Sequence, residues 1–294
     1  MLGKLQNSWE KNWPEIRCGL TGSLPDFILA RAPKPPGSSV PVFCYHVVES
    51  ADFEKDLVYL AENGYDTITA DALLTHLTGQ ACVDKPSVVL TFDDCSRNLF
   101  TTAFPLLEKY GRHAVAFVAP HFHDFAELTV SSDLRPCTWD EIKVMSQSGL
   151  VDFQSHSLEH RYFPRWPEPV PLCGAEAALN ATVNPHSFRT MEQDLRESKR
   201  VLSQRLEVDV KHLAFPRYDG TDEAVRIGQA LGYEGFWWGV LPERPTNRPG
   251  DSSDRIVRIS GEFLRRLPGE GRRPLAEILR ARYGFALRRM RGWW

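Results

Sequence analysis

Short apolar runs of β type alternate with helical patterns along most of this chain, and that alternation constrains the fold more than any other feature. The runs are VPVFCY (40–45), SVVLTF (87–92), HAVAFVA (113–119), VDFQS (151–155), KHLAFP (211–216), EGFWWGV (234–240) and RIVRIS (255–260), with a weaker one at DTIT (66–69). Between the first two, residues 53–63 place Phe53, Leu57 and Leu60 on one helical face. Residues 98–110, 139–147, 191–206 and 222–231 behave similarly, and Thr138 and Thr221 stand where N-caps belong. Strands that alternate with helices form parallel βαβ units. The pattern predicts an α/β fold, a distorted (β/α) barrel of about seven to eight parallel strands; an open doubly wound sheet fits the alternation as well. The length of 294 residues agrees, since such barrels take roughly 250.

Two stretches break the rhythm. Residues up to about Ser39 are irregular and end in APKPPGSS, a linker by composition. From Arg161 to Thr190 there are five prolines and no period, and long loops of this kind are often lids or binding loops. The organisation expected is therefore an arm and linker over 1–39, a barrel over 40–265 and a basic helix over 266–294. The net charge of −3 argues against a general nucleic-acid binder. The six cysteines (Cys18, Cys44, Cys82, Cys95, Cys137 and Cys173) are scattered and form no C-x-x-C pair, which points to reduced, buried thiols. The first 40 residues carry no apolar h-region, and no run reaches 18 apolar residues. The expected location is the cytoplasm.

Two clusters carry chemistry. Asp93 and Asp94 end the run VVLTFDD, and His156 and His160 follow VDFQS. In an α/β barrel the C-terminal ends of the strands line the active site. His46, Arg217 and Tyr218 fall at such ends too. A divalent ion such as zinc accepts imidazole nitrogen and carboxylate oxygen and keeps positions open for water and substrate. The His-x-x-x-His spacing suits two imidazoles on one side of a helical turn. A second, unligated carboxylate beside the ion can act as general base. Two adjacent aspartates supply both roles if the strand ends in a turn that lets both face inward. Either motif alone is commonly incidental, a solvated turn or a surface helix; together, each after an apolar strand, they indicate a site.

At these residues the chain resembles the polysaccharide deacetylases, carbohydrate esterase family 4. TFDD (91–94) matches that family's first motif and HSLEH (156–160) its second, while AFPRYDG (214–220) is similar to its third. PVFCYH (41–46) with residues 53–69, and the run from 138 into the second motif, agree with it; the likeness covers roughly 40 to 260. The resemblance implies a distorted barrel and a hydrolase of linear amides that removes the N-acetyl group of an aminosugar in a polysaccharide or lipid-linked glycan. It implies Asp93 as general base, Asp94, His156 and His160 as ligands of a divalent metal, zinc first, and a backbone N–H near Tyr218 at the oxyanion. A deformylase or other amidase of the same superfamily would share this metal site, and an inactive carbohydrate-binding member would share the fold.

Three departures stand out. Cys95 occupies the usual glycine position after the aspartates. Ala214 stands where some members have a base-orienting arginine, and Arg217 is either its replacement or a solvent-facing loop residue. The usual late histidine is missing, because all nine histidines lie at or before His212. His46 is then the candidate general acid, the alternative being a hydrogen-bonded structural histidine. Trp237 and Trp238 are either an apolar wall for the acetyl methyl or sugar face, or core.

Charge is uneven. From Arg255 to Trp294 there are eleven arginines and three glutamates, an excess of +8, so the rest of the chain carries −11. Pro274 can open a helix at N1, with Leu275, Ile278, Leu279, Tyr283, Ala286 and Met290 on one face. Such a helix, ending in Trp293 and Trp294, either packs on the barrel or docks peripherally on an anionic membrane.

Overall fold

In the computed structural model, which describes residues 13–126, 133–170 and 190–281, eight parallel strands nearly close into a barrel. Eleven strands are described in all, eight of them in the barrel: β1 (Val42–Tyr45), β2 (Asp66–Thr67), β3 (Ser87–Asp93), β4 (Ala114–Val118), β5 (Val151–Ser155), β6 (Arg161–Tyr162), β7 (Glu168–Pro169), β8 (His212–Ala214), β9 (Gly235–Trp238), β10 (Ile256–Val257) and β11 (Ile259–Ser260). Their order around the barrel is β10-β9-β8-β5-β4-β3-β1-β11, with β2 paired to β3 outside this path. The two edges, β10 and β11, are thus consecutive in the chain. The single run expected at 255–260 breaks at Arg258, and this one residue spans the seam. The weak run at 66–69 contributes only the side strand β2. The strands β6 and β7 form a separate antiparallel pair within the proline-rich stretch, whose residues 171–189 lie outside the described ones.

The central barrel strands β3, β4, β8 and β9 are buried on both faces. Val42, Val89, Val115, Phe117, Ala214, Trp237 and Ile256 fill the barrel interior. Their neighbours Phe43, Leu90, Phe92, Ala116, Phe153, Leu213, Phe236 and Trp238 pack outward. The period of two in the backbone thus sorts each run into an inner and an outer set. The helices Trp139–Gln147, Met191–Leu206 and Asp222–Ala230 form where the apolar spacing predicts them. Thr138 and Thr221 accept the N–H groups of Glu141 and Ala224, as N-caps do. The pattern at 98–110 resolves into a π-helical turn, Leu99–Ala103, that runs into the helix Phe104–Tyr110.

The helix Ala70–Leu77 lay outside the predicted elements. It places Ala70, Leu73 and Leu77 in the interior cluster, and Asp71 lies 3.1 Å from His212 at the start of β8. It plugs the end of the barrel at which the strands begin. The mouth at the other end is left for the site.

The flanks are tied to the barrel. Cys18, Leu24, Phe27 and Ile28, from the expected arm, belong to the core. Arg266 donates to the carbonyls of Ile28 and Ala30, and Arg272 to those of Phe27 and Ala30, satisfying the C-terminal carbonyls of the helix Asp26–Leu29. Arg255 and Arg265 pair with Asp222 and Asp56. Much of the basic excess is therefore used inside the molecule. Residues 275–281 are helical after Pro274, and Leu275 and Ile278 pack on the core. The rest of the expected basic helix, 282–294, lies outside the described residues. Among the described residues no helix is long and apolar enough to cross a membrane.

Candidate metal centre

The centre is built from turns rather than from regular elements. Within β3, Val89 and Asp93 face the interior while Leu90 and Phe92 face outward. Continued pleating would send Asp94 outward. Instead Asp94 takes a left-handed backbone, φ 67°, and Cys95 follows at φ 46°. Both carboxylates thereby reach the mouth, as the doublet requires. Cys95 fills the usual glycine position as a fully buried thiol, and its carbonyl accepts the N–H of Cys137 at 3.0 Å.

The second motif departs from the helical turn suited to its spacing. Residues 156–160 are irregular, with Ser157 at φ 64° and His160 at φ 52°. The buried carboxylate of Asp194, from the helix Met191–Leu206, accepts the N–H groups of Leu158 (2.9 Å) and Glu159 (3.3 Å). These bonds replace the helical ones and hold the loop between the two histidines. Six of the seven non-glycine residues with positive φ among those described lie in the three motifs or, for Cys95, directly after one: Asp94, Cys95, Ser157, His160, Arg217 and Tyr218. Such conformations cost of order 1–3 kcal/mol each and gather where function demands a geometry.

Asp94, His156 and His160 converge, with ligand atoms all within 4.8 Å of one another. The Oδ1 atom of Asp94 lies 3.2 Å from His160 Nε2 and 3.6 Å from His156 Nε2. A tetrahedral ion with bonds of about 2.0–2.1 Å sets its ligand atoms about 3.3 Å apart, so the three groups fit zinc. The Nδ1 of His156 lies 2.8 Å from the Ala214 carbonyl, and that of His160 lies 2.9 Å from the Val170 carbonyl. Donation to these carbonyls leaves each Nε2 as the lone-pair atom aimed at Asp94, the usual support of a metal-bound histidine. Burial pushes His156 down to about 4, so its ring is neutral at neutral pH.

Asp93 stands beside this trio, its Oδ2 3.9 Å from His156 Nε2. Its Oδ1 accepts from Arg258 Nη1 at 2.6 Å, an ion pair sealed from solvent. Burial opposes ionisation of Asp93, but Arg258, His156 and His46 outweigh it and hold the carboxyl below its usual range. Burial also opposes ionisation of Asp94, and there His160, His46 and His156 prevail more strongly. Arg258 itself lies 5.2 Å from the Phe117 ring and 5.3 Å from the Tyr218 ring.

Arg258 thus takes the place offered to Arg217. The Arg217 guanidinium turns to Glu168, 3.7 Å away, and lies over the Tyr162 ring. Tyr218 is at the site: its hydroxyl lies 3.5 Å from His46 Nδ1, and the two rings meet edge to face at 5.9 Å. Its own N–H donates to the Phe215 carbonyl, so that N–H is engaged in a turn rather than offered to an oxyanion. A Cβ at Gly239 would come within 2.6 Å of the Tyr218 Cβ, which explains a glycine just after β9. His46 is half-buried at the mouth, and its charge acts on both Asp93 and Asp94. Trp237 and Trp238 are core: the first packs on Phe117 inside the barrel, and the second donates to the Asp254 carbonyl outside it.

Sequence reasoning missed Arg258 and Asp194. The signal for Arg258 was present: in RIVRIS it shares a face with Ile256, which fills the interior, so its charge had to find a buried partner.

Residues 80–236 match the family profile described as Polysaccharide deacetylase. YxkH of Bacillus subtilis, whose own assignment as a polysaccharide deacetylase is provisional, is 21% identical over 209 residues, 67% of this chain and 63% of that one. The poly-β-1,6-N-acetyl-D-glucosamine N-deacetylase of Staphylococcus aureus (strain MRSA252) is 22% identical over 218 residues, 72% of this chain and 67% of its own. The chain thus spans about two thirds of these relatives. The structure of IcaB from Ammonifex degensii superposes with a TM-score of 0.60 at 23% identity, covering 76% of this chain and 92% of that one, which is a likeness of fold.

Proposed function

Because this chain belongs to the polysaccharide deacetylase family, we propose that it is a divalent-metal-dependent hydrolase that removes N-acetyl groups from an aminosugar glycan. The observation that carries this reading is the division of the aspartate doublet. Asp94 joins His156 and His160 in one metal-sized cluster, while Asp93 stands apart, paired with Arg258. The substrate class follows the name of the Staphylococcus aureus relative, a β-1,6-linked polymer of N-acetylglucosamine.

Asp94, His156 and His160 would hold the ion, zinc by the chemistry of the donors. When bound, such an ion polarises an amide carbonyl and acidifies a water molecule. Asp93 takes up the proton of the attacking water. Its ionised state, secured by Arg258, makes it a base at neutral pH. Arg258 also fixes the carboxylate, since Oδ1 is engaged and Oδ2 is turned toward the cluster. His46, at the mouth beside Tyr218, donates the proton that the departing amine needs.

The test is acetate release from β-1,6-linked N-acetylglucosamine oligomers, with formate release from N-formyl analogues beside it. Asp93→Asn should stop acetate release while bound metal, measured by elemental analysis, stays at the wild-type level. Full turnover in that variant would remove Asp93 from the chemistry.

A further inference from the structure

A cavity of about 350 Å³ opens at the barrel mouth next to Asp93's partner, within the range of small-molecule sites, roughly 300–1,000 Å³. Tyr218 and Arg258 line it, so it adjoins the centre. Two further stretches form its walls. One is the segment after β9, with Val240, Leu241 and Pro242; the other is the helix 13–21, with Trp13, Glu15 and Arg17. Both stretches fall outside residues 80–236, the part that matches the family profile.

The helix is held firmly over the mouth. The Glu15 carboxylate accepts from the Ser260 N–H (3.1 Å) and hydroxyl (2.9 Å), and Cys18 is buried in the core. Ser260 is two residues from Arg258, so the placement of the helix is coupled to the strand that supports Asp93.

The chemistry of the lining selects a ligand. Three carboxylates (Glu15, Asp219, Glu243) face three guanidinium groups (Arg17, Arg217, Arg258), so formal charge cancels. Asp219 accepts from the Tyr162 hydroxyl at 3.0 Å, and Arg258 serves Asp93. A phosphate would find little unspent positive charge, since Arg258 is paired with Asp93 and Arg217 turns to Glu168. A neutral ring rich in hydroxyl groups would find donors and acceptors on its edges. Its C–H faces would find Trp13, which is 40% exposed, and the apolar wall after β9.

We propose that this cavity is a glycan subsite, with Trp13 as the stacking platform for the sugar unit adjoining the one whose acetamido group meets Asp93. The proposal rests on the deacetylase reading for the identity of the reacting unit, but not for the binding itself.

The experiment uses the full chain and two probes, N-acetylglucosamine and its β-1,6-linked tetramer. Wild type, Trp13→Ala and Trp13→Phe are compared by acetate release and, separately, by calorimetric binding of the tetramer. Wild type should prefer the tetramer in kcat/KM. In Trp13→Ala the ratio of tetramer to monomer kcat/KM should fall about fivefold to tenfold through KM, and tetramer affinity should fall alike, as the loss of one aromatic contact implies. Trp13→Phe should restore most of both. Tetramer binding that depends on Trp13 without any acetate release would keep the subsite and overturn the deacetylase reading. Acetate release with an unchanged ratio in folded Trp13→Ala would overturn the subsite and keep the deacetylase. The absence of tetramer binding by wild type, or no rescue by Phe, would overturn the subsite as well.

Discussion

Replacing Arg258 by Gln removes the positive half of a fully buried ion pair and leaves Asp93 in place. Breaking such a pair from one side costs about 3–5 kcal/mol, because the remaining charge is buried without compensation. Gln retains a donor, which puts the loss toward the lower end, and the melting temperature should fall on the order of 10 °C. The effect has a definite pH dependence. In the wild type the Asp93 carboxyl is depressed, so its stabilisation is present above the unfolded value of about 3.9 and is lost as pH falls through the folded one. In Arg258→Gln, burial dominates and the folded value lies above the unfolded one. The variant's deficit should therefore grow as pH rises through about 4 and level off above the raised value. The base must be ionised, so the acidic limb of kcat/KM should move up by about 1–3 pH units, the range an adjacent charge controls. Metal content should not change, since the carboxylate that Arg258 bonds is that of Asp93, which is not among the ligands Asp94, His156 and His160. The assays are thermal unfolding from pH 4 to 8, the pH profile of acetate release, and elemental analysis. A folded variant with an unshifted acidic limb would refute the role given to Arg258.

Two further substitutions probe the rest of the site. His46→Ala should lower kcat by about 10²–10⁴-fold with metal retained, as loss of a general acid does; near-normal turnover would move that role to another group. Asp194→Ala leaves two buried N–H groups without their acceptor and frees the loop between the histidines, so zinc affinity in a competition titration should weaken about 10–100-fold. Unchanged affinity would show that the loop holds itself.

The parts of this account that rest on short-range pattern were legible in the residues. The strand Val151–Ser155 and the helices Trp139–Gln147 and Met191–Leu206 fall where periodicity puts them: the strand sets Val151 and Phe153 on one face, and each helix opens on a capping threonine. The run at 211–216 shortens to His212–Ala214, since Pro216 has no N–H for the ladder and Arg217 turns left-handed. The metal ligands were readable as residue types, but their backbone was not. His-x-x-x-His suggested a helical turn, and the left-handed Ser157 and His160 carry no glycine to announce themselves. Arg258 and Asp194 act across 165 and 36 residues of sequence, a separation at which local pattern is silent. The positive C-terminal stretch looked like a surface feature because its acceptors, the carbonyls of residues 27–30 and the carboxylates of Asp56, Asp93 and Asp222, lie elsewhere in the chain.

The central claim is metal-dependent deacetylation at the Asp94–His156–His160 cluster. Its most direct test is the rate of acetate release from the β-1,6-linked tetramer by chelator-stripped protein as zinc is titrated back. The rate should rise from background to a plateau near one equivalent of zinc. Full activity in the stripped protein, before any metal is added, would contradict it.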